Sequence, residues 1–471
     1  MKYHPAVLMV MTWVGCIAAF YILPFQLEGR VMTLYGFMIL MLFVATFCAG
    51  ALIAGRPQPQ LPRPANQYID FLLTDRMLMI AGMVAVLASL LDAQGRNLLD
   101  LSDAYQVRSD RAGALLAGGA SASTVWFQIA FLTYPAGYLY IVREVAFRPR
   151  PVLWRVGAFG LLPIVLTSLA MGGRAPLFYA LLMLIYGYVL RKQIFKPAPK
   201  KTVRARQAPP VAGLGRPGRK PLRLGAAAKI GIGLLGALAA VYFVQVFFAR
   251  ADVAGGVDNM FGVASTSWGV NFNGRFSNLL FAVFGPDGTY LIFIFVWYLV
   301  QGLVMSNIIF TDYSGQMLMG AYGVDLVAAL MRRINGEFIA DGYAVLLQMN
   351  TYGFLPSAFG SLFVDLKFFG LIPCLIWGWL SGKVYSQVKE GRDPRWLLAV
   401  PFVTVGIFFS LINTPIGFSN GFVTHLWLIA TFMTARVRRR PSAQPLAAPP
   451  QPAPQPTPQP APGAAPRAAL K

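Results

Sequence analysis

The stretch VMTLYGFMILMLFVATFCAGALIA, residues 31–54, decides the fold because it is long, apolar and free of charged side chains. A helix of about 20 such residues crosses the hydrocarbon core of a bilayer. Nine further segments are predominantly apolar, which gives ten predicted transmembrane helices: 5–24, 31–54, 77–91, 124–142, 151–171, 176–190, 225–249, 368–388, 396–413 and 421–435. We therefore expect an all-α polytopic membrane protein.

The composition of the whole chain agrees with this expectation. Of its 471 residues, 56% are hydrophobic and 12% are charged, whereas about 25% are charged in a soluble globular protein. These values exclude a soluble enzyme, a nucleic-acid-binding domain and a disordered chain. Cys16, Cys48 and Cys374 all lie in apolar runs, and His4 and His425 are the only histidines. The sequence therefore predicts no disulfide framework, no metal site and no cofactor.

The basic residues set the predicted orientation, because Lys and Arg concentrate in cytoplasmic loops. Residues 191–223 carry eleven basic side chains and no acidic one, and four arginines follow the last span: Arg436, Arg438, Arg439 and Arg440. With both segments inside, the other loops on that side, 56–76, 143–150 and 389–395, are basic as well. We expect cytoplasmic termini, and the net charge of +22 then needs no nucleic-acid partner.

An eleventh apolar run, residues 289–310, conflicts with this count. Two cytoplasmic termini require an even number of crossings, so the run is not a lone span. It either pairs with residues 318–331, which are short and contain Asp325, or forms a re-entrant or interfacial segment. We favour the re-entrant or interfacial interpretation, in which about residues 250–367 form a large outside region.

Four parts of the chain follow from these assignments. Residues 1–190 hold the N-terminal helices, 191–224 a basic cytoplasmic linker, and 225–440 the C-terminal helices with the outside region. Residues 441–471 contain 11 prolines and predict a disordered cytoplasmic tail. No internal repeat is found, which argues against an inverted-repeat transporter.

Ionisable groups near span ends favour a functional interpretation, because they are costly at membrane depth. Four clusters lie on the predicted outside, at residues 101–113, 171–176, 271–278 and 332–373. Three of them also have a structural alternative: a solvated surface helix for the first, a snorkelling interfacial Arg174 for the second, and a helix cap for Asp365 in the fourth. Arginine suits phosphate, while carboxylates and Asn or Tyr side chains suit sugar hydroxyls. A lipid-diphosphate-linked glycan presents both chemistries beside a membrane.

The polar clusters carry a resemblance to a known family. Asn350-Thr351-Tyr352, then Asp365 and Gly370 at the start of a span, together with the Arg174 turn, resemble the Wzy-type oligosaccharide repeat-unit polymerases. Tyr298 and Gly302 are similar to a further element of that family. Two features depart from its pattern: Gly353 stands where threonine is usual, and residues 366–369 separate Asp365 from Gly370.

The resemblance implies a GT-C-like glycosyltransferase of the bacterial inner membrane. Such an enzyme transfers a polyprenyl-diphosphate-linked glycan onto the non-reducing end of another lipid-linked repeat unit at the periplasmic face. It requires neither metal nor nucleotide sugar. A chain-length regulator and other polysaccharide assembly proteins are the implied partners, beside membrane lipid.

We assign roles to nine residues on this basis. The diphosphate is expected at Arg108, Arg174 and Arg275, and Glu337 or Asp341 is the expected catalytic base. The glycan and the acceptor are expected at four further residues: Tyr105, Asn350, Tyr352 and Asp365.

Three alternatives remain open at the level of the sequence. An O-antigen ligase-like glycosyltransferase attacks the same donor but relies on an outside histidine, and here only His425 lies near the last span. A flippase or transporter for lipid-linked oligosaccharides needs charges along a central conduit, whereas the charges here gather at span ends. A structural scaffold has support only from the linker and the proline-rich tail.

Overall fold

The computed structural model describes residues 3–28, 32–56, 67–98, 100, 102–104, 106–107, 110, 124–171, 173–195, 226–351, 356–391, 393–417 and 420–439. Within these residues, nine helices are long and apolar enough to cross a membrane, and α1 and α17, defined below, are shorter apolar helices. The chain is thus a multi-pass, all-α membrane protein, which confirms the predicted fold class.

The elements follow one another with few extended residues. In chain order the α-helices are α1 Pro5–Tyr21, α2 Leu34–Ala54, α3 Leu72–Asp92, α4 Val125–Thr133, α5 Ala136–Val142, α6 Leu153–Arg155, α7 Leu162–Ala170, α8 Ala175–Ile194, α9 Ala226–Val253, α10 Val257–Trp268, α11 Arg275–Asp312, α12 Asp325–Ile334, α13 Gly336–Gln348, α14 Ser357–Leu366, α15 Leu371–Glu390, α16 Val400–Phe408 and α17 Gly421–Thr434. π-Helices occupy Arg143–Phe147 and Val156–Leu161, and 3₁₀ turns occupy Lys367–Gly370, Pro394–Leu398 and Phe409–Leu411. The strands are β1 Gln26–Leu27, β2 Gln67–Asp70, β3 Val270–Asn271 and β4 Arg436–Arg439.

Several helices begin where the sequence supplies a cap. The Thr33 side chain accepts a hydrogen bond from the backbone N–H of Gly36 at 3.0 Å, and Thr124 accepts one from Phe127 at 3.0 Å. Such caps satisfy N–H groups that have no partner inside the helix. At these two helices, the polar residue before the apolar run therefore fixes where the helix begins.

Basic segments meet at one end of the bundle, which we call the basic end. Strand β2 pairs antiparallel with β4, so Asp70 lies opposite Arg436, and Asp70 also pairs with Arg438 at 2.9 Å. Arg191 at the end of α8 bonds to the carbonyl oxygens of Arg148 and Pro149. The structure thus gathers the described parts of the loops that the sequence analysis places in the cytoplasm.

The opposite end, which we call the loop end, carries residues 250–367. Strand β1 pairs antiparallel with β3, which ties the α1–α2 connection to this region. The sequence analysis treats residues 250–367 as a large loop, but the structure shows five helices in its described part, α10 to α14. Residues 318–331 are no second span, because they form a turn followed by the short helix α12.

Helix α11 contains the apolar run 289–310 and bends at Gly285, whose φ of 68° precedes Pro286. By length and composition it is one of the nine helices that fit a membrane. Near its start, Ser277 donates to the carbonyl oxygen of Pro24 at 3.1 Å, and near its end Asn307 accepts from the backbone N–H of Thr33 at 2.9 Å. Pro24 and Thr33 both lie in the α1–α2 connection, so both ends of α11 contact the same end of the bundle. We infer a re-entrant or interfacial course, the interpretation that the charge parity favours.

The main core joins α1, α2, the second half of α11, α14 and α15. Helices α2 and α15 approach each other closely, because Gly378 and Gly382 of α15 lie directly against the carbonyl oxygens of Phe47 and Ala51. Helix α14 is a second difference from the sequence analysis, which predicts no helix there. Its residues 357–365 are all buried, so it packs inside the loop end and precedes the span α15.

Candidate functional site

Arg174 lies at the loop end, immediately before α8. Its guanidinium donates a hydrogen bond to the Tyr298 hydroxyl of α11 and stacks 3.7 Å above the ring centroid of Phe247 on α9. Three separate helices therefore orient this one side chain, which is partly exposed. Snorkelling toward an interface requires no such partners, so the contacts favour a positioned arginine.

A second arginine, Arg250, lies on α9 three residues after Phe247. Residues spaced by three lie on the same face of a helix. The guanidinium groups of Arg174 and Arg250 both interact electrostatically with Tyr242, also on α9. The sequence analysis missed Arg250, although its place at the predicted outside end of an apolar helix marks it as a candidate.

Buried hydrogen-bond donors also occur beside Tyr298 and Tyr242, the two tyrosines that interact with Arg174. Trp297 Nε1 and Gln301 Nε2 are buried and have no hydrogen-bond partner in the described part of the chain, and both residues lie on α11 within one turn of Tyr298. Ser168 Oγ is likewise buried and unpartnered, and the backbone carbonyl of Ser168 accepts from Tyr242 at 3.5 Å. Unsatisfied buried polar groups are rare and costly, so this grouping indicates a ligand.

We call this group of residues the Arg174 site: Ser168, Arg174, Tyr242, Phe247, Arg250, Trp297, Tyr298 and Gln301. Guanidinium, amide and indole groups all donate hydrogen bonds, and the two arginines also carry positive charge. Their natural complement is a ligand with several acceptor oxygens and a negative charge. A phosphate or diphosphate has this character, and guanidinium binds it in a bidentate manner.

Gly302 follows Tyr298 by one helical turn, at a position where only glycine fits. A Cβ atom at this position would overlap the carbonyl oxygen of Leu411. Glycine therefore lets α11 press against the end of α16, which holds the Tyr298 face toward Arg174. The Tyr298 and Gly302 pair, singled out from the sequence, acts as one positioning unit.

Asp365 has a structural role in this arrangement. Its side chain is 3% exposed and accepts hydrogen bonds from the backbone N–H groups of Tyr322 and Gly323, each at 2.8 Å. The carboxylate thus holds the turn that precedes α12. It caps no helix start, since it lies near the C-terminal end of α14, and it is turned away from solvent.

The spacer between Asp365 and Gly370 has its own structure. Lys367 adopts a φ of 50° where α14 ends, and its Nζ donates to the carbonyl oxygen of Tyr313 at 2.7 Å. Burial and the neighbouring Asp365 raise the pKa of Tyr313. Residues 366–369, which depart from the pattern of the resembled family, therefore form a break between α14 and α15. The hydrogen bond from Lys367 ties this break to Tyr313, directly after α11.

Asn350 and Thr351 end helix α13. Asn350 has a φ of 52°, a left-handed conformation that favours Asn or Gly after a helix. Thr351 is fully buried and donates from Oγ1 to the Leu346 carbonyl at 3.1 Å. The exposed Asn350 side chain is left facing solvent, while Tyr352 lies outside the described residues.

Glu337 and Asp341 are exposed on one face of α13, four residues apart. The opposite face of α13 packs into the core through Ile339 and Tyr343, whose hydroxyl donates to the Ala321 carbonyl at 3.0 Å. That core also contains the second half of α11. Helix α11 therefore connects the two carboxylates with the Arg174 site, although no described contact joins them directly.

The remaining predicted phosphate and glycan residues are not brought to Arg174. Arg275 is exposed at the start of α11, more than six helical turns before Tyr298, and no contact between Arg275 and Arg174 occurs among the described residues. Tyr105 and Arg108 lie outside the described residues. Arg250, and not Arg275, shares an electrostatic interaction with Tyr242 alongside Arg174.

His425, the residue on which a ligase would rely, bonds within its own helix. Its Nδ1 lies 2.7 Å from the carbonyl oxygen of Gly421. In the described part of the chain, no three His, Cys, Asp or Glu side chains form a group suited to a metal ion.

Comparison of the chain with family models, with curated proteins and with solved structures finds no match in any of the three.

Proposed function

We propose that the protein is a GT-C-like glycosyltransferase that polymerises oligosaccharide repeat units carried on polyprenyl diphosphate. The proposal combines the sequence resemblance with one structural observation, the positively charged and donor-rich character of the Arg174 site. A membrane-embedded site with two arginines and three unpartnered donors suits the diphosphate of a lipid-linked glycan. In this proposal the loop end faces the periplasm of a bacterial inner membrane.

The reaction is a displacement at the anomeric carbon of the donor glycan. A hydroxyl at the non-reducing end of the acceptor attacks that carbon, and the bond from carbon to the diphosphate oxygen breaks. Glu337 or Asp341 takes the hydroxyl proton, and the diphosphate leaves with the bonding electrons. Arg174 and Arg250 stabilise the charge that develops on the leaving oxygen. No metal is needed for any of these steps.

The acceptor glycan has an exposed place beside α13 in this proposal. Asn350 lies at the end of α13 with its side chain in solvent, where an amide suits sugar hydroxyls. Asp365 is withdrawn from this role, because its carboxylate is occupied by backbone N–H groups. Its contribution is to fix the turn before α12, on which α13 depends.

The two alternative functions have weaker structural support. A ligase of this kind relies on a histidine, and His425 is committed to the Gly421 carbonyl of α17. A flippase needs charges through the middle of the bundle. The ion pairs seen among the described residues instead lie near the ends of helices, as with Asp92–Arg96 and Asp70–Arg438.

The test is a strain that lacks the gene, with surface polysaccharide and lipid-linked glycans analysed by size. A polymerase leaves single repeat units on lipid or surface and no polymer. Polymer that accumulates on the lipid carrier identifies a ligase instead, and single units trapped on the cytoplasmic side identify a flippase. Either of these results contradicts the proposal.

Complementation with variants tests the role of Arg174. We expect Arg174→Lys to insert normally and to lower polymer about tenfold or more, because a hydrogen bond to a charged group contributes roughly 1.5–3 kcal/mol and a point charge does not reproduce the guanidinium fork. Arg333→Lys is the matched control, since Arg333 is exposed on α12. Polymer at the wild-type level with Arg174→Lys would contradict a role for Arg174 in binding the diphosphate.

A further inference from the structure

A buried network of charges lies at the basic end, away from the Arg174 site. Glu144 is completely buried and accepts hydrogen bonds from Arg143 at 2.6 Å, from Arg148 at 2.9 Å and from the backbone N–H of Val152 at 3.0 Å. Asp75 of α3 pairs with Arg143 at 2.5 Å. The proposed transfer reaction uses none of these groups.

Two π-helices frame this network. One runs from Arg143 to Phe147, and the other begins at Val156, directly after Arg155. π-Helical turns are rare in proteins and occur frequently at functional sites. Each widens its helix and redirects the side chains beside the turn at residues 148–152. Two π-helices around one short turn therefore indicate that this turn has a function besides connecting two helices.

The positive charges of the network exceed its negative charges. Four arginines, Arg143, Arg148, Arg155 and Arg191, gather around two carboxylates, those of Asp75 and Glu144. Arg191 is 6% exposed, and its hydrogen bonds go to three carbonyl oxygens, those of Val145, Arg148 and Pro149. Arg155 interacts electrostatically with Asp75 but forms no ion pair with it in the described structure.

Basic residues also outnumber acidic ones in the rest of the basic end. Asp70 and Asp393 are paired with Arg438 and Arg395, and Glu390 is buried at the end of α15. The segments 57–66, 196–225 and 440–471, which the sequence analysis places on the same side, contain no Asp or Glu. A buried cation without a counter-charge is costly, so an external anion is the natural complement.

Three orphaned atoms define the chemistry of that anion. The donors Arg143 Nε and Arg155 Nε are buried and have no hydrogen-bond partner among the described residues, and the same holds for the acceptor Asp75 Oδ1. The two donors require acceptor oxygens, and the acceptor requires a hydroxyl or amine donor. A phosphate with a hydroxyl close to it meets both requirements.

We propose that Arg155, with Arg148, Arg191 and Asp75, binds a phosphate group that carries a neighbouring hydroxyl. Leu153 and Trp154, next to Arg155, are exposed, and tryptophan is enriched at the membrane interface. An anionic lipid headgroup of the phosphatidylglycerol type therefore reaches this depth directly. Free phosphate offers the same acceptor oxygens, and the experiment separates these two sources.

The experiment is native mass spectrometry of the purified full-length protein with added lipid. We expect phosphatidylglycerol to bind at least fivefold more than phosphatidylethanolamine, and Arg155→Gln to remove this preference. Arg333→Gln, a change of the same kind at the loop end, should keep it. A lipid preference that survives Arg155→Gln would overturn the proposal. So would a wild type that shows neither a lipid preference nor the effect of phosphate described below.

Inorganic phosphate distinguishes the source of the group. If millimolar phosphate raises the melting temperature of the wild type but not of Arg155→Gln, while no lipid preference is seen, the site takes free phosphate. If phosphatidylglycerol binds preferentially and phosphate leaves the melting temperature unchanged, the site takes a lipid headgroup. Arg155→Lys serves as a second variant, because it keeps the charge and folding while it removes the planar fork, and we expect weakened binding.

Discussion

Asp365 shows how one residue type serves two different needs. Seen in sequence, an aspartate at the mouth of a span suggests sugar binding or a helix cap. In the structure both of its oxygens accept backbone N–H groups from the turn at Tyr322 and Gly323. A buried carboxylate satisfied in this way stabilises a loop, and the nearby Tyr313 is affected by its charge.

Removal of this carboxylate is expected to destabilise the loop end. Asp365→Ala leaves two buried N–H groups without partners, each at a cost of about 1–3 kcal/mol. We expect a clear fall in the melting temperature of the detergent-solubilised protein. Asp341→Ala, at an exposed carboxylate, provides the control and should melt within error of the wild type. Equal melting of Asp365→Ala and wild type would refute the structural role.

Glu337 and Asp341 are separable by neutral substitution. Both are exposed on α13, so Glu337→Gln and Asp341→Asn should leave folding unchanged. The variant that lacks the base should lower polymer formation by about 10²–10⁴-fold, the usual contribution of general base catalysis, while the other retains most activity. Polymer length and amount in the complemented strain measure this. If both variants polymerise normally, neither carboxylate is the base.

At the scale of elements, the pairing of α2 with α15 depends on small residues. Without a strong hydrophobic driving force between helices in lipid, close packing permitted by glycine becomes the main attraction. Gly378 and Gly382 of α15 lie against backbone carbonyl oxygens of α2. The same principle applies to Gly302 of α11, which faces the end of α16.

A single methyl group tests this contact. Gly378→Ala places a Cβ where the Phe47 carbonyl oxygen lies, and overpacking of this kind costs typically about 1–3 kcal/mol, more than the roughly 1 kcal/mol that alanine gains in a helix. We expect a lower melting temperature. Gly15→Ala in α1, where nothing lies within 4 Å, should be neutral or slightly stabilising. The opposite order of the two variants would contradict the packing.

The course of α11 relative to the membrane can be tested by cysteine labelling. Its two ends contact Pro24 and Thr33 at the same end of the bundle, so Asn273→Cys and Asp312→Cys should react with a membrane-impermeant thiol reagent from the same side. Gln193→Cys, exposed at the basic end, should react only from the other side. The background replaces Cys16, Cys48 and Cys374 with alanine. Labelling of positions 273 and 312 from opposite sides would establish a full crossing.

For the whole molecule, charge separates the two ends of one bundle. The basic end gathers Arg148, Arg191, Arg395 and Arg438 with few carboxylates. The loop end instead holds the exposed carboxylates of α13 and the positioned Arg174. This separation follows from the cost of moving charges across lipid, and it assigns the two proposed phosphate sites to opposite faces of the membrane.

The sequence alone determines the membrane-protein class and most helix positions, because apolar length and flanking charge act locally through the energy of transfer into lipid. It also singles out Arg174, Tyr298 and Gly302 as residues of interest. Only the tertiary structure decides that Arg250 shares Tyr242 with Arg174 and that Asp365 stabilises a turn. These assignments depend on contacts between helices far apart in sequence, and no local periodicity records which faces meet.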